Sequence, residues 1–107
     1  MATTYKNAKV DLTSTNLTIL YTVPSATTAI VKSILVSEDS NSADTITVTL
    51  VNSAGAIFSI FKEKAISAKA TSELLTAPLV MEESEVLKVQ VATADRLHVV
   101  ASLLELS

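Results

Sequence analysis

Apolar residues fall at every second position along most of this chain. That spacing suits a pleated strand with one face in a core and denies a helix its apolar stripe. Residues 45–50 alternate cleanly, with Ile46, Val48 and Leu50 directed inward and threonines outward. Residues 85–91 repeat the pattern: Leu87, Val89 and Val91 share one face, Lys88 and Gln90 the other. Leu97, Val99, Ala101 and Leu103 make a third inward row. Opposite them stand His98, Val100, Ser102 and Leu104, and because two of these are apolar the strand is expected to be covered on both sides.

The remaining segments follow the same period less strictly. Residues 9–13 form a short strand, and residues 17–23 place Leu17, Ile19, Tyr21 and Val23 together. Residues 28–37 put Ile30, Ile34 and Val36 on one side, with Lys32 among them extending its ammonium to water. Residues 56–62 follow the turn Asn52-Ser53-Ala54-Gly55, where the only glycine supplies a positive φ. Residues 65–75 read as one or two irregular strands. Turn signals at 24–26, 38–44, 52–55, 77–78, 82–84 and 93–96 recur at the spacing of a sandwich or barrel. The predicted fold is therefore all-β: an antiparallel β-sandwich of jelly-roll or Greek-key type with about eight short strands. Residues 8–107 form its single domain, and residues 1–7, which carry no periodicity, are expected to be a flexible N-terminal arm.

Composition agrees with this and narrows the function. Thr, Val and Ile occur 14, 12 and 7 times among 107 residues, and branching at Cβ favours strands over helices. With one Gly and two Pro, most turns must be built from Ser, Asn, Asp and Thr. Hydrophobic residues reach 49% while charged ones are only 18%, so part of the surface is expected to be hidden in contacts with other molecules. The net charge is −3, no Lys/Arg cluster occurs, and the four aromatics (Tyr5, Tyr21, Phe58, Phe61) are not interleaved with basic residues. Nucleic-acid binding is disfavoured. No run approaches the roughly 20 apolar residues of a membrane span, and residues 1–7 lack the apolar stretch of a secretory signal, so a secretory leader is not expected. Without cysteine there is no disulfide, zinc ribbon or thiol chemistry.

No constellation of catalytic side chains emerges, and neither an enzyme nor a cofactor or metal site is expected. His98, the only histidine, lies inside a strand between Leu97 and Val99 and reads as a half-buried structural residue. A triad of Ser102, His98 and Asp95 fails on geometry, since residues four apart on a strand stand roughly 13 Å apart. The acids Glu82, Glu83 and Glu85, and Glu38, Asp39 and Asp44, read as solvated polar turns, without the glycine and ligand spacing of a calcium loop. Asn16-Leu17-Thr18 is a chance match to a glycosylation sequon. Phe58 and Phe61 lie on opposite faces of a regular strand, so one of them needs a cover, and a neighbouring subunit is one candidate. Together with Tyr5 in the arm and the outward-facing Val100 and Leu104, they make the candidate interface.

Two segments carry a resemblance. The first is Tyr21-Thr22-Val23-Pro24, a turn, then Thr28-Ala29-Ile30-Val31-Lys32-Ser33-Ile34; the second runs over residues 78–91 and continues through residues 97–102. Together they resemble small virion structural proteins of tailed bacteriophages, a group that includes capsid decoration (cement) proteins and some tail or fibre components. Such proteins often carry Gly in the turn after the proline and Gly-Asp at the later turn. Here those places hold Ser25-Ala26 and Ser84-Glu85. The resemblance implies a decoration protein on the outer capsid surface, made in the host cytoplasm, that forms a dimer or trimer and binds the major capsid protein. Its alternatives are a tail, neck or fibre-associated protein and, less favoured without tryptophan, a carbohydrate-binding β-sandwich.

Overall fold

The structure is a computed structural model and describes residues 2–107. Every regular element among them is a strand: β1 (Thr3–Asp11), β2 (Thr18–Thr22), β3 (Thr28–Glu38), β4 (Asp44–Val51), β5 (Ile57–Ile66), β6 (Thr71–Glu73), β7 (Leu79–Met81), β8 (Val86–Val91) and β9 (Leu97–Leu106). They form two antiparallel sheets packed as a sandwich. The front sheet runs β1-β9-β3-β6, with β7 pairing the other half of β3; the back sheet runs β2-β8-β4-β5. Between them lies one core. Val31, Ile34, Val36, Leu97, Val99 and Ala101 come from the front sheet, and Ile46, Val48, Leu87 and Val89 from the back. All of these side chains are fully enclosed. Burying each such aliphatic side chain contributes about 1.5–3 kcal/mol, which is what holds the two layers together.

The three strands with the clearest alternation sit where alternation predicts. On β9 the inward row continues past Leu103 to Glu105, and Leu97, Val99, Ala101 and Leu103 are all buried. The outward row is uncovered, however: Val100 is 38% exposed and Ser102 lies open, because β9 is the middle of a sheet whose outer face meets no other layer.

Three readings are corrected by β-bulges, each of which adds one residue to one strand and turns the following side chains to the opposite face. On β3 the register against β9 shifts between Val31 and Ser33. Inward residues are therefore Ala29 and Val31 before Lys32, then Ile34 and Val36 after it, while Ile30 faces out. On β2 the shift falls between Ile19 and Tyr21. Leu20 is buried, Tyr21 faces inward, and Ile19 is 59% exposed. On β5 two shifts lie between Lys64 and Ser59, so Phe61 pairs with Val48 and Phe58 with Leu50. Both phenylalanines thus lie on the inward side of this edge strand rather than on opposite faces.

Residues 3–7 are not an arm. They form the first half of β1, paired residue for residue with β9 from Thr3↔Leu106 to Asp11↔His98. Their lack of periodicity has a plain cause: β1 is an edge strand with both faces largely in water, so no apolar row is needed. Met1 lies outside the described residues.

The acidic turn at 38–44 is built around two buried acids rather than solvated, whereas Glu82 and Glu83 are exposed, as the sequence predicts. Glu38 is 2% exposed at the end of β3. Its carboxylate accepts the backbone N–H of Ser40 at 2.8 Å, of Ser42 at 3.2 Å and of Lys69 at 2.9 Å, together with the Ser40 hydroxyl. It thereby ties two loops to one strand end. Burial pushes this carboxyl up, but the hydrogen bonds outweigh burial and hold it down at about 2, from an ordinary 4.5. Because the folded value is the lower one, Glu38 stabilises the fold above pH 4.5, and that contribution is lost as pH falls from 4.5 towards 2. Acid titration of the unfolding midpoint should show the loss, and Glu38→Gln should be less stable at neutral pH with a flatter profile across that window. Asp44, also buried, accepts the Thr93 N–H at 3.1 Å.

With one glycine available, six other residues among those described adopt left-handed backbone: Ala26 (φ 54°), Asn41 (65°), Glu63 (52°), Lys69 (57°), Ser84 (67°) and Asp95 (64°). Ala26 lies in the β2–β3 turn and Ser84 in the β7–β8 turn. An alanine Cβ in this region costs about 1–2 kcal/mol, partly offset by the unfolded-state entropy that glycine adds. Ala26→Gly should therefore stabilise the protein by about 0.5–1 kcal/mol in urea denaturation.

Candidate functional site: the exposed face of the front sheet

Cross-strand partners share a face, so the registers fix which side chains meet on the outside of the front sheet. Tyr5 of β1 pairs with Leu104 of β9, Leu104 with Ile30 of β3, and Ile30 with Val80 of β7. Four apolar side chains from four strands thus form one row across the sheet. Tyr5 is 78% exposed and Val80 57%, with Ile30 and Leu104 half-buried between them. Two rows away, Val100 pairs with Leu35, and both are more than a third exposed. The row between them is polar, Asn7–Ser102–Ser33. The bulge at Lys32 creates this arrangement, since a regular β3 with Ile34 and Val36 inward would turn Ile30 inward as well.

The two ends of this face differ. Beneath the Tyr5 row, Glu105 points into the sandwich, where the Tyr21 hydroxyl of the back sheet donates to its Oε2 and Lys6 Nζ lies 3.2 Å from its Oε1. Hydrogen bonding from Tyr21 holds the Glu105 carboxyl below the usual range against the opposing effect of burial, and Lys6 adds its hydrogen bond and charge. Burial, with the facing carboxylate, pushes the Tyr21 phenol up. This bridge locks the two sheets together under the apolar row. At the other end His98 stands between two carboxylates, with Nε2 3.0 Å from Asp11 Oδ1 and Nδ1 3.4 Å from Asp39 Oδ2. The carboxylates beside His98 are thus Asp11 and Asp39, not Asp95, which lies in the β8–β9 turn. At the β6 end, Glu73 accepts the Ile34 N–H at 2.8 Å, the Leu75 N–H at 3.2 Å and the Ser33 hydroxyl, which pins the strand just past the bulge.

Of the five candidate interface residues, this face gathers three: Tyr5, Leu104 and Val100. Phe58 and Phe61 lie elsewhere, on β5 at the edge of the back sheet, where Phe61 packs against the core and Phe58 is 54% exposed. Ile30, Leu35 and Val80 also belong to the face; the Lys32 bulge hides Ile30 in the sequence and the brevity of β7 hides Val80, while Leu35 faces outward wherever Ile34 and Val36 face inward. A second, smaller apolar strip crosses the outside of the back sheet, where Val86 pairs with Val51 and Val51 with Ile57, the last 65% exposed.

No family model and no curated protein matches the chain. Among solved structures it is similar to a chain of "Structure of infectious bursal disease virus Gt strain", at 8% identity and a TM-score of 0.43. The likeness covers 98% of this chain and 30% of that one, so this chain spans less than a third of the length of the protein it matches.

Proposed function

We propose that the protein is a structural subunit of a tailed-bacteriophage virion, a capsid decoration protein that docks on the outer head surface and stabilises it by protein–protein contact. The observation that carries this reading is the cross-strand row Tyr5–Leu104–Ile30–Val80, with Leu35 and Val100 on the same face beyond one polar row. Scattered exposed aliphatics are ordinary on any surface, whereas a row joined across four strands is the mark of a contact face. A rigid sheet presents such a row without losing loop entropy on binding, and a large exposed aromatic at one end supplies an anchor.

Strand order adds support. Sheets ordered β1-β9-β3-β6/β7 and β2-β8-β4-β5 fit a jelly roll, an architecture that serves viral capsid and lectin domains alike. Of those two uses, sugar binding wants aromatic rings to stack on, and this chain has four aromatics and no Trp. Only Tyr5 among them lies on the exposed front face. The partners implied are the major capsid protein and further copies of the chain, and the role asks for shape and apolar area rather than catalysis.

Quantitative mass spectrometry of purified particles tests the reading. Copies commensurate with the capsid subunits are expected. A handful per particle would move the protein to the tail, neck or fibre, and absence from particles would overturn the proposal. Tyr5→Ala should lower occupancy of heads in a rebinding assay roughly tenfold or more, as loss of an interface anchor does.

A further inference from the structure

We propose that β1 is a self-pairing edge, through which two copies of the chain join their front sheets into one continuous antiparallel sheet about a two-fold axis at Asn7. The inference deepens the assembly reading and rests on it for the choice of occupant.

Edge strands present unpaired backbone groups, and folded proteins normally blunt them. The other edges of this sandwich are blunted. β5 carries two bulges, the run Lys62-Glu63-Lys64 and a left-handed Glu63. β2 is five residues long and bulged, and β6 and β7 have three residues each. In contrast, β1 is nine residues long, pairs with β9 without a register shift, and contains neither Pro nor Gly. Its inward lysine, the usual guard on such an edge, is engaged: Lys6 reaches Glu105 at 3.2 Å. Lys9 likewise bends along its own strand to donate to Asn7 Oδ1 at 3.1 Å.

The hydrogen-bond phase says which groups are free. Ala2 and Ser107 exchange both backbone hydrogen bonds, at 2.7 and 2.9 Å, and the Leu12 N–H donates to the Leu97 carbonyl at 3.1 Å. Even-numbered residues of this strand therefore turn their backbone groups to β9, and odd-numbered ones turn theirs outward. Thr3, Tyr5, Asn7 and Lys9 offer both N–H and C=O at the open edge. Asp11 offers its N–H, since its carbonyl already accepts from Thr13 at 3.0 Å.

Charge then selects the register. A two-fold axis perpendicular to the sheet keeps the exposed faces on one side and requires a residue of β1 to meet its own copy. An axis at Lys6 or Lys9 sets like charges directly opposite. An axis at Ala8 leaves Thr3 and Thr4 overhanging and sets Lys6 against Val10. With the axis at Asn7 all nine residues pair: Asn7 meets Asn7, Tyr5 lies beside Lys9 of the second copy, where ring and ammonium attract, and Thr3 meets Asp11. The two Tyr5–Leu104–Ile30–Val80 rows then lie on the same side of one extended sheet.

Because the chain has no cysteine, single-thiol variants of the full protein report the seam without ambiguity. Directly opposite residues in a hydrogen-bonded pair have Cα atoms about 5.5 Å apart, within disulfide reach. Under mild oxidation Asn7→Cys is expected to form covalent dimers at least about tenfold faster than Ser59→Cys on β5, because pairing raises the effective thiol concentration. Wild-type protein should sediment as a dimer at about 100 µM, far above the micromolar Kd of a modest interface. Asn7→Pro, which deletes an outward N–H and leaves the β9 ladder intact, should sediment as a monomer with an unchanged circular dichroism spectrum. A monomeric wild type with equal oxidation rates for the two thiol variants would overturn the proposal. So would a dimer that Asn7→Cys fails to trap, which would put the contact on another surface, and so would trapping of a strand from a different protein instead of a second copy. If Asn7→Pro does not fold, the paired thiol rates decide alone. The virion assignment stands or falls separately, on particle copy number.

Discussion

Deletion of Ser102 should unfold the domain, whereas deletion of Lys32 should leave it folded, although both remove one exposed residue from a long strand. Lys32 is the extra residue of the β3 bulge. Without it Val31, Ser33 and Ile34 follow one another in regular alternation, still opposite Leu103, Ser102 and Ala101. The change in stability should stay within about 1 kcal/mol, of the order of a surface substitution or a lost local hydrogen bond. Ser102 lies in unbroken β9, hydrogen-bonded between β1 and β3. Its removal forces either Leu97, Val99 and Ala101 or Leu103 and Glu105 to the outer face. At about 1.5–3 kcal/mol for each large aliphatic side chain exposed, turning out Leu97 and Val99 costs about 3–6 kcal/mol, while turning out Leu103 costs about 1.5–3 kcal/mol and also breaks the Glu105 bridge to Tyr21 and Lys6; either is a large part of what a domain of this size has to spare. Far-ultraviolet circular dichroism with urea melts separates the outcomes. A folded Ser102 deletion would show that the registers across the front sheet are wrong.

The second large effect concerns the core. Leu87 is fully buried on β8, an inner strand of the back sheet, and pairs with Leu50 and Tyr21 on its two sides. Partners held in strands on either side cannot move in to fill the space it leaves. Leu87→Ala should therefore cost about 3–4 kcal/mol. For a domain near 100 residues that lowers Tm by roughly 15–25 °C, measurable by calorimetry. The exposed Leu35, truncated in the same way, should cost well under half as much.

What the sequence disclosed, and what it withheld, follows from how each strand is satisfied. β4, β8 and β9 are central, with one face packed and one open, so their alternation is strict and readable. β1 has water on both faces over most of its length and no reason to alternate; its place in the fold depends on a partner, β9, almost a hundred residues away in the chain. Bulges at Lys32, Leu20 and within β5 are invisible to a count of two, because the extra residue is chosen by pairing geometry rather than by polarity. A strict period of two therefore puts Ile30 in the core and Ile19 on the side of Tyr21, and the bulges turn both outward. Part of the exposed face is legible for the same reason: Val100 and Leu104 lie on a regular strand and Leu35 alternates with the inward Ile34 and Val36, whereas Ile30 lies before a bulge and Val80 on a three-residue strand. The role of Glu38 could not be read from a turn-like Glu-Asp-Ser-Asn run, since the Lys69 N–H that it accepts arrives from a loop 31 residues further on.

The two strands latest in chain order, β8 and β9, are both interior to their sheets. While a ribosome is still translating this stretch, the emerging β1 and β3 have no common neighbour, and neither do β2 and β4. Neither layer can zip up progressively from its first hairpin; both wait for residues 86–106 to clear the exit tunnel and insert between strands already made. Folding is thereby pushed towards a late, concerted event on the order of milliseconds to seconds, as expected of pairings so distant along the chain. Until then the nascent polypeptide exposes unpaired β-rich segments.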